Sequence, residues 1–134
     1  MKKKRLFLIP LCLLLLAAAW FLLRSRIPQR WYTADELGIR MYCSRGSMDL
    51  SVKDGGLPPD SVVQTVEEIM KDSARVIEQY HDPSYGAMHR VALAPCSPFS
   101  VSADLLRESA ILARQYGVRL HTHLCETKDE ENFM

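Results

Sequence analysis

The pattern of apolar and polar positions changes character near residue 34. From Leu6 to Leu23, eighteen residues run without a charge and almost without a polar group, which leaves no polar face for a surface helix. As a helix that run is roughly 27 Å long, about the thickness of a hydrocarbon core. It predicts a transmembrane or signal-anchor helix over 6–23, bent at Pro10 as membrane helices tolerate. The triplet Ala17-Ala18-Ala19 offers a signal-peptidase site instead, but the run continues through Trp20–Leu23, which favours an uncleaved anchor.

Beyond Ala34 the apolar positions fall in shorter blocks. "GIRMYCSR" (38–45), "RVALAPC" (90–96) and "VRLHTHL" (118–124) have the length of strands. The last two are nearly unbroken apolar runs, as in parallel strands covered on both faces. Between them the period becomes helical. "SVVQTVEEIMKDSARVIEQY" (61–80) puts Val62, Val66, Ile69, Met70, Ser73, Ile77 and Tyr80 on one stripe, with Ser61 and Gln64 as a capping-box pair and Pro59 just outside. "SADLLRESAILARQYG" (102–117) repeats the form, with Ser102 as N-cap, Leu105, Leu106, Leu112, Ala113 and Tyr116 on the buried side, and Gly117 as the stop. Strand–helix–strand–helix–strand implies an α/β fold with parallel pairing. Three strands cannot close a barrel, which takes eight such units and about 250 residues. The body therefore has the look of an excerpt.

Charge sharpens the division. The 134 residues carry a formal charge of +1, yet positions 1–33 hold seven basic residues and no acid, and 34–134 hold ten basic and sixteen acidic ones. An acidic body excludes nucleic acid as a partner, since that needs clustered Lys and Arg. Four basic residues precede the apolar run and three follow, a bias that puts the N-terminus on the cytosolic side of a membrane and the body outside the cytosol. The organisation read from the chain is a basic head (1–5), an apolar helix (6–23), a basic linker (24–33) and a parallel α/β body (34–134). The cysteines, Cys12, Cys43, Cys96 and Cys125, contain no C-x-x-C pair and fit a reducing compartment better than a disulfide scaffold.

Candidate chemistry collects at the carboxyl ends of the strands, where parallel α/β folds carry their sites. His121 and His123, two apart in "HTHLCE", share one face of a strand, and imidazole on a rigid strand suits zinc or iron. Glu126 follows where strand gives way to loop, placed to move protons. Two long loops, 46–60 and 97–102, lie at the same edge. Each feature has a plainer reading: "DGG" (54–56) is a turn, His81 and His89 flank a turn and are solvated, "KDEE" (128–131) is a solvated helix start, and Cys43 and Cys125 are ordinary thiols.

The stretches "ADELGIRMYCSRGSMDLSVKDGGLPPDS", "IEQYHDPSYGAMHRVALAPCSPFS" and "RVALAPCSPFSVSADLLRESAILARQYGVRLHTHLCETKDE" together resemble the amidohydrolase superfamily. The branch is that of the aromatic-base deaminases and chlorohydrolases, most like the 8-oxoguanine deaminases and hydroxyatrazine ethylaminohydrolases. The resemblance implies that the body is a portion of a (β/α)8 metal-dependent hydrolase barrel, its third to fifth strands. It implies hydrolysis of a C–N bond on a purine-like or triazine-like heterocycle, with zinc or iron as cofactor. His123 then matches the fifth-strand metal ligand. Glu126 matches the glutamate that contacts a ring nitrogen and moves protons. Arg45 and Cys96 match substrate-facing positions, and His121 is a neighbour behind the metal ligand. The family's first-strand H-x-H, sixth-strand histidine and eighth-strand aspartate have no counterpart here, so the chain alone is expected to hold no metal and to be inactive. The enzymes of this branch point to the cytoplasm, against the anchor. Two other readings stand beside this one: a membrane-anchored α/β interaction module, and a truncated gene product without function.

Overall fold

The computed structural model describes residues 29–133. The basic head, the apolar run at 6–23 and the first part of the linker lie outside the described residues, and with them the membrane or signal-anchor helix expected there. Among the described residues no helix is long and apolar enough to cross a membrane. The chain divides into two units after Arg40.

In the first unit, helix α1 spans Gln29–Leu37 and runs across position 33/34, where the composition changes. Gly38 ends it at φ 66°, donating its N–H to Asp35 O at 3.1 Å while Ile39 N–H reaches back to Ala34 O at 2.9 Å. Only glycine takes that left-handed conformation without a steric cost. Gly38 was expected to lead the first strand; it closes a helix instead, and the strand starts three residues later.

The second unit is a parallel sheet of three strands, β1 (Met41–Ser47), β2 (His89–Pro95) and β3 (Arg119–Leu120), in the order β1-β2-β3. Met41 lies opposite His89 and Ser47 opposite Pro95; Ala92 lies opposite Arg119. The central strand buries five consecutive residues, Val91 to Pro95, as its unbroken apolar run predicts. The edge strand β1 alternates, with Tyr42, Ser44 and Gly46 exposed.

Helices α2 (Val66–Tyr80) and α3 (Ala103–Tyr116) pack against each other and against β2, so they cover the same face of the sheet. Ile69, Ser73 and Ile77 form the buried stripe of α2, and Leu105, Ser109 and Ala113 that of α3. Ile69, Leu105 and Val101 close into one cluster, with Val66 and Met70 against it. Each such aliphatic side chain, fully withdrawn from water, contributes about 1.5–3 kcal/mol.

Helix α2 begins later than its pattern suggests. "S-x-x-Q" at 61–64 and "T-x-x-E" at 65–68 both fit a capping box, and the second one forms. Thr65 N–H donates to Glu68 Oε2 at 2.9 Å, and Glu68 N–H donates to Thr65 Oγ1 at 3.3 Å. A carboxylate near a helix N-terminus is a stronger acceptor than the Gln64 amide. These bonds from Thr65 hold the Glu68 carboxyl below its ordinary value of 4.5. Asp60–Val62 is a separate 3-10 turn, and Val62 stays 47% exposed outside the stripe. For α3 the expected caps both form: Ser102 Oγ accepts from Leu105 N–H at 3.1 Å, and Gly117, at φ 66°, donates to Ala113 and Arg114 carbonyls.

The two long loops are knitted together. Asp49 accepts from Ser102 N–H at 2.8 Å and from Ser102 Oγ, and Leu57 N–H donates to Phe99 O at 2.9 Å. The "DGG" turn is a turn, as read, and Gly56 is its tightest point: a Cβ there would lie 2.4 Å from Leu50 O and 2.9 Å from Phe99 O. The expectation that His81 is solvated does not hold. It follows α2, is half-buried, and its Nδ1 accepts from Val91 N–H at 3.0 Å. Burial first, then the charge of Arg90, push its pKa below the ordinary 6.5, against the pull of Asp82.

Candidate active site

The site begins with an irregularity at the end of β2. His121 N–H donates to Leu93 O and His123 N–H donates to Cys96 O, both at 2.8 Å. Two residues on one strand therefore span three on the other, which is the geometry of a bulge in β2 around Pro95. Regular pairing of β3 stops at Leu120 for this reason, although the chain runs on beside β2. The bulge turns the Cys96 carbonyl toward His123. That oxygen also meets His123 Nδ1 at 3.0 Å and accepts from Thr122 Oγ1 at 3.1 Å. A carbonyl can only accept, so Nδ1 carries the proton, and in the neutral ring Nε2 keeps its lone pair. His121 stands beside it, edge to face, with ring centroids 5.4 Å apart.

Both rings border a hollow of about 370 Å³ on the face of the sheet away from the helices. Its floor is built of small residues, Ser44, Gly46 and Ala94, with Cys96, Met48 and Gln64 at the sides. The strand period of two puts these small side chains on one face and Val91 and Leu93 on the other. The depth of the hollow thus comes from the size of its residues.

The structure brings His121, His123 and Cys96 together and sets the other two candidates apart. Arg45 is not among the residues that line the hollow. Its side chain is only 10% exposed; Nε donates to Asp72 Oδ2 at 3.1 Å, Nη2 to Gln64 Oε1 at 3.0 Å and Nη1 to Gly46 O at 2.6 Å. It stands behind the lining residue Gln64 and ties β1 to α2. The Asp72 carboxyl is held below its ordinary 3.8 by the hydrogen bond from Arg75 above all, with the charges of Arg45 and Arg75 adding to it and burial opposing. Glu126 is exposed and borders a different hollow, of about 420 Å³, with Cys125, Thr127, Lys128, Glu130 and Glu131.

One residue of this region was read only as part of a solvated run. Glu130, at the start of helix α4 (Lys128–Phe133), is 1% exposed, and its carboxylate accepts from the N–H groups of Cys125 and Glu126, each at 2.9 Å. Nothing local separates it from Asp129 or Glu131; only the pattern T-x-x-E at 127–130 marks it, and Thr127 Oγ1 indeed accepts from Glu130 N–H at 3.3 Å.

A metal is a test this arrangement meets only in part. His123 offers a nitrogen lone pair of the right kind, with its other nitrogen anchored as ligating histidines require. Among the described residues, however, no three of His, Cys, Asp and Glu come together as a metal site. They do not make a cage.

Comparison with known proteins shows the family. The model of the amidohydrolase family matches residues 29–134. The chain is 56% identical over 99 residues to 8-oxoguanine deaminase of Pseudomonas aeruginosa, covering 74% of this chain and 22% of that protein. It is 37% identical over 100 residues to hydroxydechloroatrazine ethylaminohydrolase of a Pseudomonas species, covering 75% of this chain and 21% of that one. Among solved structures, the atrazine chlorohydrolase of Arthrobacter aurescens complexed with zinc superposes with a TM-score of 0.69 at 38% identity, over 72% of this chain and 21% of that chain. This chain thus spans about a fifth of the length of the relatives it matches. With three parallel strands and covering helices that superpose on the solved relative, the chain belongs to the amidohydrolase family, as a portion of its barrel.

Proposed function

We propose that this chain carries the third to fifth strands of an aminohydrolase that deaminates an oxidised purine, with Glu126 as the proton-moving carboxylate and His123 as one metal ligand. The 56% identity to 8-oxoguanine deaminase is the observation that carries the reading. The reaction exchanges an amino group on a ring carbon for the oxygen of water and releases ammonia. In it Glu126, which here borders a separate hollow and takes its role from the resemblance to the family, hydrogen-bonds a ring nitrogen and delivers a proton to the departing amine. Cys96 and the small residues beside it shape the wall that meets the heterocycle. Zinc is the metal in the solved relative, and His123 Nε2 is the donor this chain offers it. A catalytic zinc takes three protein ligands, so the remaining donors lie outside the described residues.

The test is a graft of residues 41–134 into the matching portion of the Pseudomonas aeruginosa deaminase. The graft releases ammonia from 8-oxoguanine. Glu126→Gln in it abolishes release with zinc content intact, and His123→Asn lowers zinc content. An active Glu126→Gln graft overturns the assignment, and so does ammonia release by the ungrafted chain. A second reading rests on the uncharged run at 6–23, which would anchor the chain in a membrane. Protease added to intact cells decides it: a body that stays protected and is recovered in the soluble fraction after lysis ends that reading.

A further inference from the structure

We propose that Glu130 is a positioning residue for Glu126, holding the loop that presents it in a conformation the loop would otherwise leave; this rests on the reading of Glu126 given above. Cys125 adopts φ 60°, and no other described residue apart from glycine has a positive φ. A side chain in that left-handed region crowds its own backbone, and such a residue persists only where its surroundings over-determine it. Here the surroundings are one carboxylate. Glu130 Oε1 takes the N–H of Cys125 and Oε2 the N–H of Glu126, each at 2.9 Å, so both oxygens of one buried group clamp two successive amides. Helix α4 would normally use the side chain of its third residue to cap its own first turn. Glu130 reaches one and two residues further back, into the segment that turns from His123 to Glu126. Its burial at 1% exposure is spent on that reach.

A carboxylate is the only common side chain that serves both donors. Glutamine offers a single oxygen and turns an N–H₂ group toward the second amide, which is a donor facing a donor. Alanine serves neither. With the clamp gone, Cys125 relaxes out of the left-handed region, and the backbone of Glu126 rotates with it.

The experiment follows the backbone of the full chain by NMR in the natural sequence and in Glu130→Gln and Glu130→Ala. Hydrogen exchange at the Cys125 and Glu126 amides accelerates on the order of ten- to a hundred-fold in the alanine variant, as for lost bonds to a charged acceptor. In the glutamine variant at least one of the two accelerates. The Cys125 Cα shift leaves its left-handed value, while the amides of Val91–Leu93 keep their protection. A purely structural role would lower the unfolding midpoint and leave the Cys125 and Glu126 shifts in place; that result overturns the proposal. So does acceleration spread evenly over β2, α2 and α3. The measurement uses no substrate, so its failure leaves the deaminase reading standing, and an inactive graft leaves this one standing.

Discussion

On the helix-covered face of the sheet, Val91 and Leu93 are 0 and 2% exposed, and Ile69, Val101 and Leu105 form a buried cluster of their own. On the opposite face the same strands show Ser44, Gly46, Ala92 and Ala94, with His121 and His123 at the rim. The first face is large, aliphatic and sealed; the second is built of small residues and borders the hollow. Alternation along a strand lets one backbone carry both, because neighbouring residues point to opposite sides. Stability is stored on one side, which leaves the other free to be shaped for a ligand. The loops repeat the contrast. The segment 48–60 is sewn to 97–102 by backbone bonds, whereas Cys125 and Glu126 hang on a single buried carboxylate.

The contrast has a cost that substitution measures, and the largest effect belongs to the sealed face. Leu105→Ala removes a fully buried side chain and lowers the unfolding free energy by about 2–5 kcal/mol in urea titration. A loss under 1 kcal/mol would mean that this cluster does not hold the unit together. Gly56→Ala comes next. Its new methyl meets backbone carbonyls that have little room to yield, which costs about 1–3 kcal/mol and lowers the thermal midpoint.

His81 gives a smaller effect with a pH signature. The folded chain keeps its pKa below 6.5 and needs Nδ1 unprotonated to accept from Val91 N–H. The unfolded chain, with a histidine near 6.5, therefore takes up the proton first as pH falls. Stability from this group is complete above that value and is lost as pH drops through the folded pKa. His81→Ala costs about 0.5–1.5 kcal/mol at neutral pH and flattens the pH dependence below the ordinary histidine value. An unchanged slope would assign the acid sensitivity to another group. On the open face, Ser44→Ala changes stability by less than about 0.5 kcal/mol by the same titration. A loss as large as that of Leu105→Ala would erase the distinction between the faces.

Much of this was legible in the chain because the signals were local. The unbroken run at 90–96, the Ser102 cap and the Gly117 stop each depend on residues within one turn, and each formed as read. The Ser61–Gln64 pairing went the other way for a reason outside its window: Gln64 faces Arg45, nineteen residues away, and Thr65 with Glu68 offered a charged alternative. Gly38 was read as leading a strand because its role as a helix end depends on α1. In the site, the spacing of His121 and His123 was visible, and the resemblance singled out His123 and Glu126. The bulge at Pro95 and the clamp of Glu130 were not visible, since both arise from a segment folding back on another.

The bulge carries a consequence for how this site tolerates change. The oxygen that fixes the imidazole at position 123 belongs to the main chain, and every amino acid placed at 96 would supply the same atom. Side-chain chemistry at 96 is therefore uncoupled from ring alignment. Bulk or polarity on that wall of the cavity can be exchanged, to admit a different ligand, while the tautomer of His123 stays as it is.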